Sequence, residues 1–545
     1  MAIENSAPVK FSPRGLADAY DSTDAFSGAA RKLTNLVFDQ SNPEVVIPRP
    51  GVGNAFTSFA GFSNPGFISV QITVGNYIYG MVATSLTAGK DQPFVYNITT
   101  SSFVTVSNVT AGNSEGRPTS PATSGAWTPP TIAVVGVKVI ITHPGHSGSG
   151  TNFFSVIDIS NPAAPAYSAM NTTTHALPSV PTFVANFNNR AYFACGNTAY
   201  YSDVLLPTSM TNAGQALTLG DTTNITAMSG LPVATSTAGI VAALIIFKPT
   251  QIWQITGDAA ITGSLAQNYL SLNIGTLAPR SVVPTPAGTF FVGPDSAYVV
   301  SPLGAVMPLT NQLGGPGSTP DIRQPFGYCT QPTRVAAAFA GNIYRICIPT
   351  IIDGTAGTYD YWFDTRKMRW NGPHTFIYDC VSSAGTYFIV SGAGSGANLF
   401  NSTPFPSTTT LYADNGVSYV IDCKTADLAV KGDMFMKQAV ETTVELGSSG
   451  TSTAFAITAY GDKGNFLSNT SVSPSQVGGI WGANKWGDGT LWQTSLSQPV
   501  TYLLSWPFPL VFNRISIEIV ATAKAGISIG SFLMRTQRTG YTLQQ

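Results

Sequence analysis

The chain has 545 residues, of which only 10% carry a charge, against about 25% in an ordinary soluble domain. Its 26 Lys and Arg nearly balance its 27 Asp and Glu, and the formal net charge of −1 excludes a general electrostatic attraction to nucleic acid. The length allows about two to four domains. Because Ser, Thr, 53 Gly and 37 Pro replace the missing charge, the composition favours either a protein covered by neighbours in an assembly or a Thr- and Gly-rich secreted β protein.

Residues 1–50 are predicted to form an N-terminal arm. A short helix is expected at residues 29–36, because Ala29, Ala30 and Leu33 tolerate one. Pro43 and Pro48 then impose extended structure and turns. Such an arm either packs on a neighbouring subunit or crosses back to the C-terminal domain of its own chain.

The sequence also predicts where the protein is made. Residues 1–5 lack the basic start and apolar core of a secretion signal, and the longest apolar run, residues 238–247, is too short to span a bilayer. An odd number of scattered cysteines favours buried free thiols in a reducing compartment, here a cytoplasm. The cysteines are Cys195, Cys329, Cys347, Cys380 and Cys423.

Seven short segments repeat one pattern, a turn residue followed by β-branched and aromatic residues, at intervals of about 50 residues. Each is followed by a polar break and usually by a second aromatic strand, most clearly at residues 359–364. The pattern predicts a mainly β fold, with a β-propeller of about six to eight blades and long inserted loops over residues 51–420. An ordinary β-sandwich with similar hairpins is the alternative. The turn residues are Asn76, Gly136, Asn189, Gly239, Gly288, Gly341 and Gly385.

The pattern changes after residue 420. Residues 515–519 alternate apolar and polar side chains, as a strand buried on one face does. Residues 421–545 are therefore predicted to form a C-terminal β-sandwich or platform domain. Four tryptophans within it either stack on sugars or belong to a core or interface. They are Trp481, Trp486, Trp492 and Trp506.

The motifs of known catalytic centres are missing, so no catalytic, cofactor or metal site is predicted and the protein is not expected to be an enzyme. No GxSxG elbow, Walker phosphate loop or HExxH zinc motif occurs. His143 and His146 could bind a metal, but no adjacent Cys or acidic residue completes a site, so a pair in a turn is preferred. Asp360 and Asp364 are interpreted as turn-capping residues rather than as an acid/base pair.

Neither the densest basic cluster nor the single motif-like sequence of the chain is assigned a functional site. The densest basic cluster, Arg366, Lys367 and Arg369, is expected to be a solvated hairpin tip. The sequence Asp488 to Trp492 approaches the sialidase turn motif, but it has the wrong spacing and occurs once.

A diffuse pattern of related segments spans roughly residues 30–430. It begins with a Leu- and Asn-containing segment that is followed by Pro43 and by Arg49-Pro50-Gly51, and it continues in blade-like units. The segments are residues 30–38, 190–193, 200–203, 247–253, 291–293 with Tyr298, and 364–374. Together they resemble the tail-hub proteins of short-tailed bacteriophages.

The resemblance implies a structural virion protein, namely the tail nozzle or hub that stabilises packaged DNA. Such proteins are homo-oligomers, expected here as a six-fold ring below the portal and its adaptor, and they carry tail fibres or spikes. The ring closes the tail channel and then conducts double-stranded DNA, without sequence preference, during ejection. The protein would be made in the host cytoplasm and would reside in the virion tail.

Flexible glycine-rich loops are candidates for the constriction of such a channel, although ordinary blade loops are the simpler interpretation. A carbohydrate-binding or depolymerising tail spike, or a free-standing propeller adhesin, are the alternative functions. The candidate loop residues are Gly314, Gly315, Gly317, Gly392, Gly394 and Gly396.

Overall fold

The structure is a computed structural model in which strands dominate and helices are few and short. It includes one four-residue α-helix, Gln324–Gly327, and the 3-10 turns Pro279–Ser281, Pro332–Arg334 and Asp462–Gly464. No helix among the described residues has the length and apolar character needed to cross a membrane. The model describes residues 9–542 except 14, 18–28, 54–56, 60–61, 63–65, 84–89, 110–114, 117–127, 236–238, 262–263, 310–321, 393–396, 408–410, 429–434, 448–452, 475–477, 480–490 and 493–499.

The predicted β-propeller is confirmed, and seven antiparallel blades form it. The innermost strands of the blades contact one another in a closed ring, with blade 7 next to blade 1. Blade 1 contains Phe67–Val74, Tyr77–Ala83, Lys90–Asn97 and Ser102–Val104. Blade 2 contains Thr131–Val135, Lys138–Thr142, Phe154–Asp158 and Ala166–Met170. Blade 3 contains Phe183–Phe187, Arg190–Cys195, Thr198–Tyr201 and Ala216–Thr218.

The remaining blades follow in chain order. Blade 4 contains Ala227–Thr235, Gly239–Phe247, Ile252–Thr256 and Ala266–Ser271. Blade 5 contains Val283–Thr285, Gly288–Val292, Ala297–Val300 and Val306–Pro308. Blade 6 contains Ala336–Ala340, Ile343–Ile352, Thr355–Asp364 and Arg369–His374. Blade 7 contains Tyr378–Ala384, Tyr387–Gly392 and Asn398–Ser402, and Thr57–Ser58 adds its outer strand.

Most of the repeated turn residues lie in the tight hairpins between the first two strands of the blades, whereas Gly239 and Gly288 begin the second strand of their blades. Asn188 and Asn189 both take a left-handed backbone conformation, as do Gly341 and Asn342. Hairpins of this type match the twist of the strands they connect. Aromatic side chains of the following strands then pack between blades, and the rings of Phe154 and Phe193 lie 4.7 Å apart.

Two sheets form the C-terminal domain, and the arm contributes strands to both. The first sheet continues from the outer strand of blade 6 through Ala29–Thr34, which also pairs with Gly15–Leu16, to Val420–Thr425, Ser516–Thr522, Phe455–Tyr460 and Phe466–Val472. The second contains Leu36–Phe38, Val46–Pro48, Ser528–Thr542, Phe435–Gly447 and Val500–Leu503, with Val9–Phe11 and Val511–Phe512 at its edges. Three small pairings remain outside these sheets: Ala413–Asp414 with Val417–Ser418, Gly478–Gly479 with Leu491–Trp492, and Glu115–Gly116 with blade 1.

The core of this domain lies between its two sheets. Ile421, Ile457 and Ile519 of the first sheet belong to the same buried cluster as Val444 and Phe532 of the second. That cluster extends without a break into the side chains of blade 6. The arm thus crosses back to the C-terminal domain of its own chain.

The helix expected at residues 29–36 is wrong, because this segment forms the strands Ala29–Thr34 and Leu36–Phe38. Leu33 pairs with Cys423 of the C-terminal domain and with Gly372 of blade 6. These long-range partners supply the backbone hydrogen bonds, and tertiary pairing overrides the weak preference of Ala and Leu for helix.

Candidate functional site

Arg49 lies where the arm, the propeller and the C-terminal domain meet, and we call its cluster the joint. Its side chain is fully buried. Nε donates to Asn35 Oδ1 at 3.0 Å, Nη1 donates to Asp414 Oδ1 at 2.9 Å, and Nη2 donates to the other oxygen of the same carboxylate. The guanidinium also lies over the Tyr419 ring, 4.4 Å from its centroid, and the Tyr419 hydroxyl donates to the Arg49 carbonyl. A buried charge needs such complete pairing to be tolerated.

Asn35 and Gly51 complete the joint. Asn35 has a φ of +56°, and its Oδ1 accepts from both the backbone N–H and the hydroxyl of Thr375, which lies between blades 6 and 7. Its Nδ2 donates to the carbonyl of Val420 in the C-terminal domain at 2.8 Å. A Cβ on Gly51 would lie 2.2 Å from the Ala413 carbonyl oxygen, so only glycine allows this approach.

A second buried ion pair links blades 6 and 7. Arg345 donates to Asp360 through Nε and Nη2, the latter at 2.8 Å, and donates to Ser402 through Nη1 at 2.7 Å. Trp362 Nε1 and the Tyr378 hydroxyl donate to the same carboxylate. Burial raises the pKa of Asp360 and the charge of Arg345 opposes that shift.

The interpretation of Asp360 as a turn cap is therefore wrong, since it lies inside the core and pairs with Arg345. Its place in a strand full of aromatic residues did not reveal its pairing with the arginine on the preceding strand. Asp364 does cap the turn after its strand, because Oδ1 accepts from the backbone N–H groups of Arg366 and Lys367.

Two of the three clustered basic residues hold the arm instead of forming a purely solvated tip. Lys367 Nζ donates to the Asp39 carbonyl, and Arg369 Nη1 donates to the Pro43 carbonyl at 2.8 Å. The Arg369 guanidinium also lies 5.1 Å from the centroid of the Phe38 ring. The hairpin of blade 6 thus binds the arm, which the local sequence could not indicate.

His143 and His146, which follow the second strand of blade 2, form hydrogen bonds with different partners. His143 Nε2 lies 3.0 Å from Asp91 Oδ2 of blade 1, and its Nδ1 accepts from the Gly145 N–H. Because Nδ1 accepts, the proton resides on Nε2 and is donated to Asp91. Within the described part of the chain, no three His, Cys, Asp or Glu side chains converge as metal ligands do.

Asn152, His146 and Ser155 are hydrogen-bonded in the same order as the acid, base and nucleophile of a hydrolase triad. His146 Nδ1 donates to Asn152 Oδ1, so that Nε2 can accept from Ser155 Oγ at 3.1 Å. Ser155 is fully buried, and its Oγ also lies 2.7 Å from the Tyr167 hydroxyl. The network joins two neighbouring strands of blade 2, because Ser155 lies in Phe154–Asp158 and Tyr167 in Ala166–Met170.

His374 is buried against the ring of Trp362, with the ring centroids 4.8 Å apart. Neither of its nitrogens has a hydrogen-bond partner among the described residues. Burial, and then the nearby charges of Arg49 and Arg345, place its pKa well below the ordinary value. A buried histidine of this kind stays neutral and carries no proton in a reaction near neutral pH.

The blade segments that carry the family resemblance have structural roles. Lys248 is fully buried and donates from Nζ to the carbonyls of Leu219 and Asp221, at 2.6 and 2.8 Å, which links blade 4 to the preceding loop. Gln251 Oε1 accepts from Trp253 Nε1 at 3.1 Å and its Nε2 donates to Asp221. These residues connect blade 4 to the loop that follows blade 3.

The axis of the propeller contains a small cavity of about 180 Å³. Its walls come from the innermost strands, and Gln71, Thr131 and Arg280 are among the polar residues there. Arg280 donates to the carbonyls of Ser69 in blade 1, Asp379 in blade 7 and Arg334 in the turn before blade 6, at 3.3, 3.0 and 3.1 Å. Arg280 was not identified from the sequence, where it stands in an ordinary loop.

A larger groove of about 670 Å³ lies between blade 6 and the C-terminal domain. Asp353, Tyr359 and Glu518 line it, together with Arg31 and Lys424. Its size is that of a typical ligand pocket.

The proposed constriction loops lie mostly outside the described residues, as Gly314, Gly315, Gly317, Gly394 and Gly396 all do. Gly392 ends the second strand of blade 7, where a Cβ would lie 3.1 Å from the Phe400 ring. It is not among the residues that line the axial cavity.

Of the four tryptophans of the C-terminal domain, Trp481 and Trp486 also lie outside the described residues. Trp492 is in the short strand Leu491–Trp492. Trp506 packs against the core between the two sheets.

No known family model and no curated protein matches the chain. A Mycobacterium tuberculosis puromycin-hydrolyzing peptidase is similar in structure, at 12% identity and a TM-score of 0.38 over 71% of this chain and 63% of that one. Similarity also extends to an exo-β-1,3-galactanase from Phanerochaete chrysosporium, at 10% identity and a TM-score of 0.26 over 74% of this chain and 95% of that one. The β-propeller domain of the Trilobed protease from Pyrococcus furiosus is similar at 8% identity and a TM-score of 0.32 over 62% of this chain and 95% of that one. The chain spans 59% of the length of another puromycin hydrolase. At such low identity the likeness concerns the fold alone.

Proposed function

We propose that this protein is a structural subunit of the tail nozzle, or hub, of a short-tailed bacteriophage. Copies of it form a ring, expected to be six-fold, that binds the portal adaptor and carries fibres or spikes. The ring retains the packaged genome and conducts double-stranded DNA during ejection, and the protein catalyses no reaction. The observation that carries the proposal is the joint, because Asn35, Arg49 and Gly51 are residues on which the family resemblance rests and are also those that link arm, propeller and C-terminal domain.

The axial cavity supports a ring rather than a single subunit as the conducting unit. A space of about 180 Å³ crossed by Arg280 admits a small molecule but not a DNA duplex. The proposal therefore requires a DNA path between subunits and not through one propeller. The near-neutral net charge also suits a conduit, since each retained phosphate contact would slow the moving DNA.

Electron microscopy of the purified protein, alone and with its adaptor, tests the proposal. We expect rings in which each subunit contributes one propeller, at least when the adaptor is present. A strictly monomeric mass, together with no adaptor binding in light scattering, would contradict a hub function.

Binding or cleavage of carbohydrate is the second candidate, and the groove between blade 6 and the C-terminal domain favours it. Asp353 and Glu518 supply two carboxylates and Tyr359 an aromatic ring, which are the groups that glycosidases and lectin sites use. Release of reducing ends from host capsule or lipopolysaccharide, lost in both Asp353→Asn and Glu518→Gln and kept in Asp462→Asn, would establish this function in place of the hub. Asp462 is a suitable control because it caps a backbone turn elsewhere, accepting from the N–H of Arg514.

A further inference from the structure

Three consecutive apolar residues are exposed at one tip of blade 3, and we call them the knob: Val204, Leu205 and Leu206, with exposed fractions of 43%, 52% and 57%. Val137 of blade 2, also exposed, lies on the same side, since the Leu205 side chain lies over the adjacent Gly136. A run of exposed apolar residues is a liability in solution unless it has a partner.

The backbone of the knob is held in an uncommon conformation. Leu205 has a φ of +60°, which a bulky side chain rarely adopts and which usually marks a turn or a functional position. Its N–H donates to the Asn189 carbonyl at 2.7 Å, which fixes it to the hairpin of the same blade.

Asp203 makes the knob rigid. Its carboxylate accepts from Ser209 Oγ at 2.8 Å, from Gln215 Nε2 at 3.0 Å and from Thr211 Oγ1 at 3.2 Å. The loop after the knob is thereby tied to its start. A contact surface fixed before binding loses little entropy when it docks.

An apolar pocket of about 240 Å³ lies on another part of the molecule, and we call it the receiving pocket. Its volume is about eight times the share of one water molecule in the liquid, which suffices for branched aliphatic side chains. Its walls include Pro249, Leu277, Val292, Pro294, Phe326 and Pro332.

The knob and the receiving pocket lie on opposite faces of the propeller. In an antiparallel blade, the turns that follow the first and third strands share one face, and the second turn and the connection to the next blade share the other. The knob follows the third strand of blade 3, Thr198–Tyr201. The pocket is built from the second turns at Pro249 and Pro294 and from the connections at Leu277 and Phe326.

We propose that the knob of one copy of this chain docks into the receiving pocket of a second copy. Because the two surfaces lie on opposite faces, one two-fold dimer interface cannot satisfy both, and each copy donates its knob to one neighbour and accepts the knob of another. Such head-to-tail contacts generate rings when the rotation closes. The inference rests on the proposed function for the assembly of like copies, and it names the surfaces that make the contact.

Two variants test the contact from its two sides. Leu205→Asn removes the apolar side chain, and asparagine accepts a positive φ, so the fold is kept. Gly327→Phe places a large ring at the receiving pocket without a backbone clash, because Gly327 lines the pocket and a Cβ there meets nothing within 4 Å. Each variant is expected to weaken self-association by about 30-fold or more, as loss of a central contact residue does. Leu303→Asn and Gly53→Phe, at an exposed leucine and an open glycine outside both surfaces, are the matched controls and should assemble as the natural chain does.

Mixing the two variants gives the decisive result in sedimentation velocity. Leu205→Asn retains a pocket and Gly327→Phe retains a knob, so the mixture should form one-to-one dimers and stop there. Rings in either single variant, or a mixture that stays monomeric, would overturn the knob-and-pocket contact while leaving the hub proposal intact if the natural chain forms rings. A natural chain that stays monomeric at all concentrations and with adaptor would overturn both.

Discussion

Arg49 and Asp414 lie 365 residues apart in the chain and form a bidentate ion pair, with Arg49 Nη1 2.9 Å from Asp414 Oδ1. The arginine side chain is wholly buried, while that of Asp414 is 15% exposed. One side chain of the arm thus fixes the hairpin that follows the propeller.

We expect Asp414→Ala to destabilise the protein by about 3–5 kcal/mol, because the Arg49 charge would remain buried without its carboxylate. The free energy of unfolding in urea measures the loss. The exposed pair of Arg535 and Glu441, 3.2 Å apart, supplies the control, and Glu441→Ala should cost less than about 1 kcal/mol. Equal losses in the two variants would show that the joint has no special role.

Gly51→Ala should destabilise the joint without changing any charge. The added Cβ would lie 2.2 Å from the Ala413 carbonyl oxygen, a contact that only a backbone shift relieves. We expect a loss of about 1–3 kcal/mol, with a lower melting temperature. Gly53→Ala, two residues away, is the matched control, because its Cβ would meet nothing within 4 Å. Unchanged stability in Gly51→Ala would refute this account of the Arg-Pro-Gly segment.

His374 should make stability fall on acidification. Its folded-state pKa lies well below the ordinary value because the ring is buried, whereas in the unfolded chain the pKa is about 6.5. Below about pH 6.5 the unfolded state therefore binds a proton that the folded state does not. The contribution of neutral His374 to the free energy of unfolding is fully present above that pH. It is lost as the pH falls, by up to about 1.4 kcal/mol per pH unit.

The comparison of His374→Phe with the natural chain between pH 5 and 8 isolates this effect. The variant should show a shallower dependence of unfolding free energy on pH below 6.5. A uniform packing loss would displace the whole curve without altering its slope, so it cannot imitate the result. An identical slope would mean that His374 is protonated in the folded protein.

Free protein should bind duplex DNA weakly and without sequence preference, with a dissociation constant on the order of 10⁻⁵ M or higher at physiological salt. The 26 basic and 27 acidic residues leave no excess charge to release many counterions. A gel-shift titration at two salt concentrations checks this. Nanomolar binding with a steep dependence on salt would reveal a basic face and would contradict retention by mechanical closure.

The sequence predicted the propeller because its signals are local. Each hairpin turn needs residues that accept a positive φ, such as Asn189 and Gly341, and the strands that follow are mostly apolar and aromatic. These features recur once per blade, so the repeat reveals the class of fold without knowledge of any long-range contact.

The pairings between distant parts of the chain could not be predicted in this way. Nothing near Leu33 indicates that its partner is Cys423, and a segment of Ala, Arg, Lys and Leu favours helix when considered alone. The same limitation hid the pair of Arg345 and Asp360. A charged residue within the apolar strand Ile343–Ile352 was the one local sign that a buried partner existed.

In both the propeller and the C-terminal domain, an early strand of the chain pairs with a strand that comes much later. Thr57 pairs with Leu399 to complete blade 7, and Val9 pairs with Met534 in the C-terminal domain. Because each of these strands pairs with a partner that is made far later, neither domain can close before that partner has left the ribosome, and closure depends on contacts of very high sequence separation. Until then the early strands have unpaired edges, which are the parts of a newly made chain that favour aggregation.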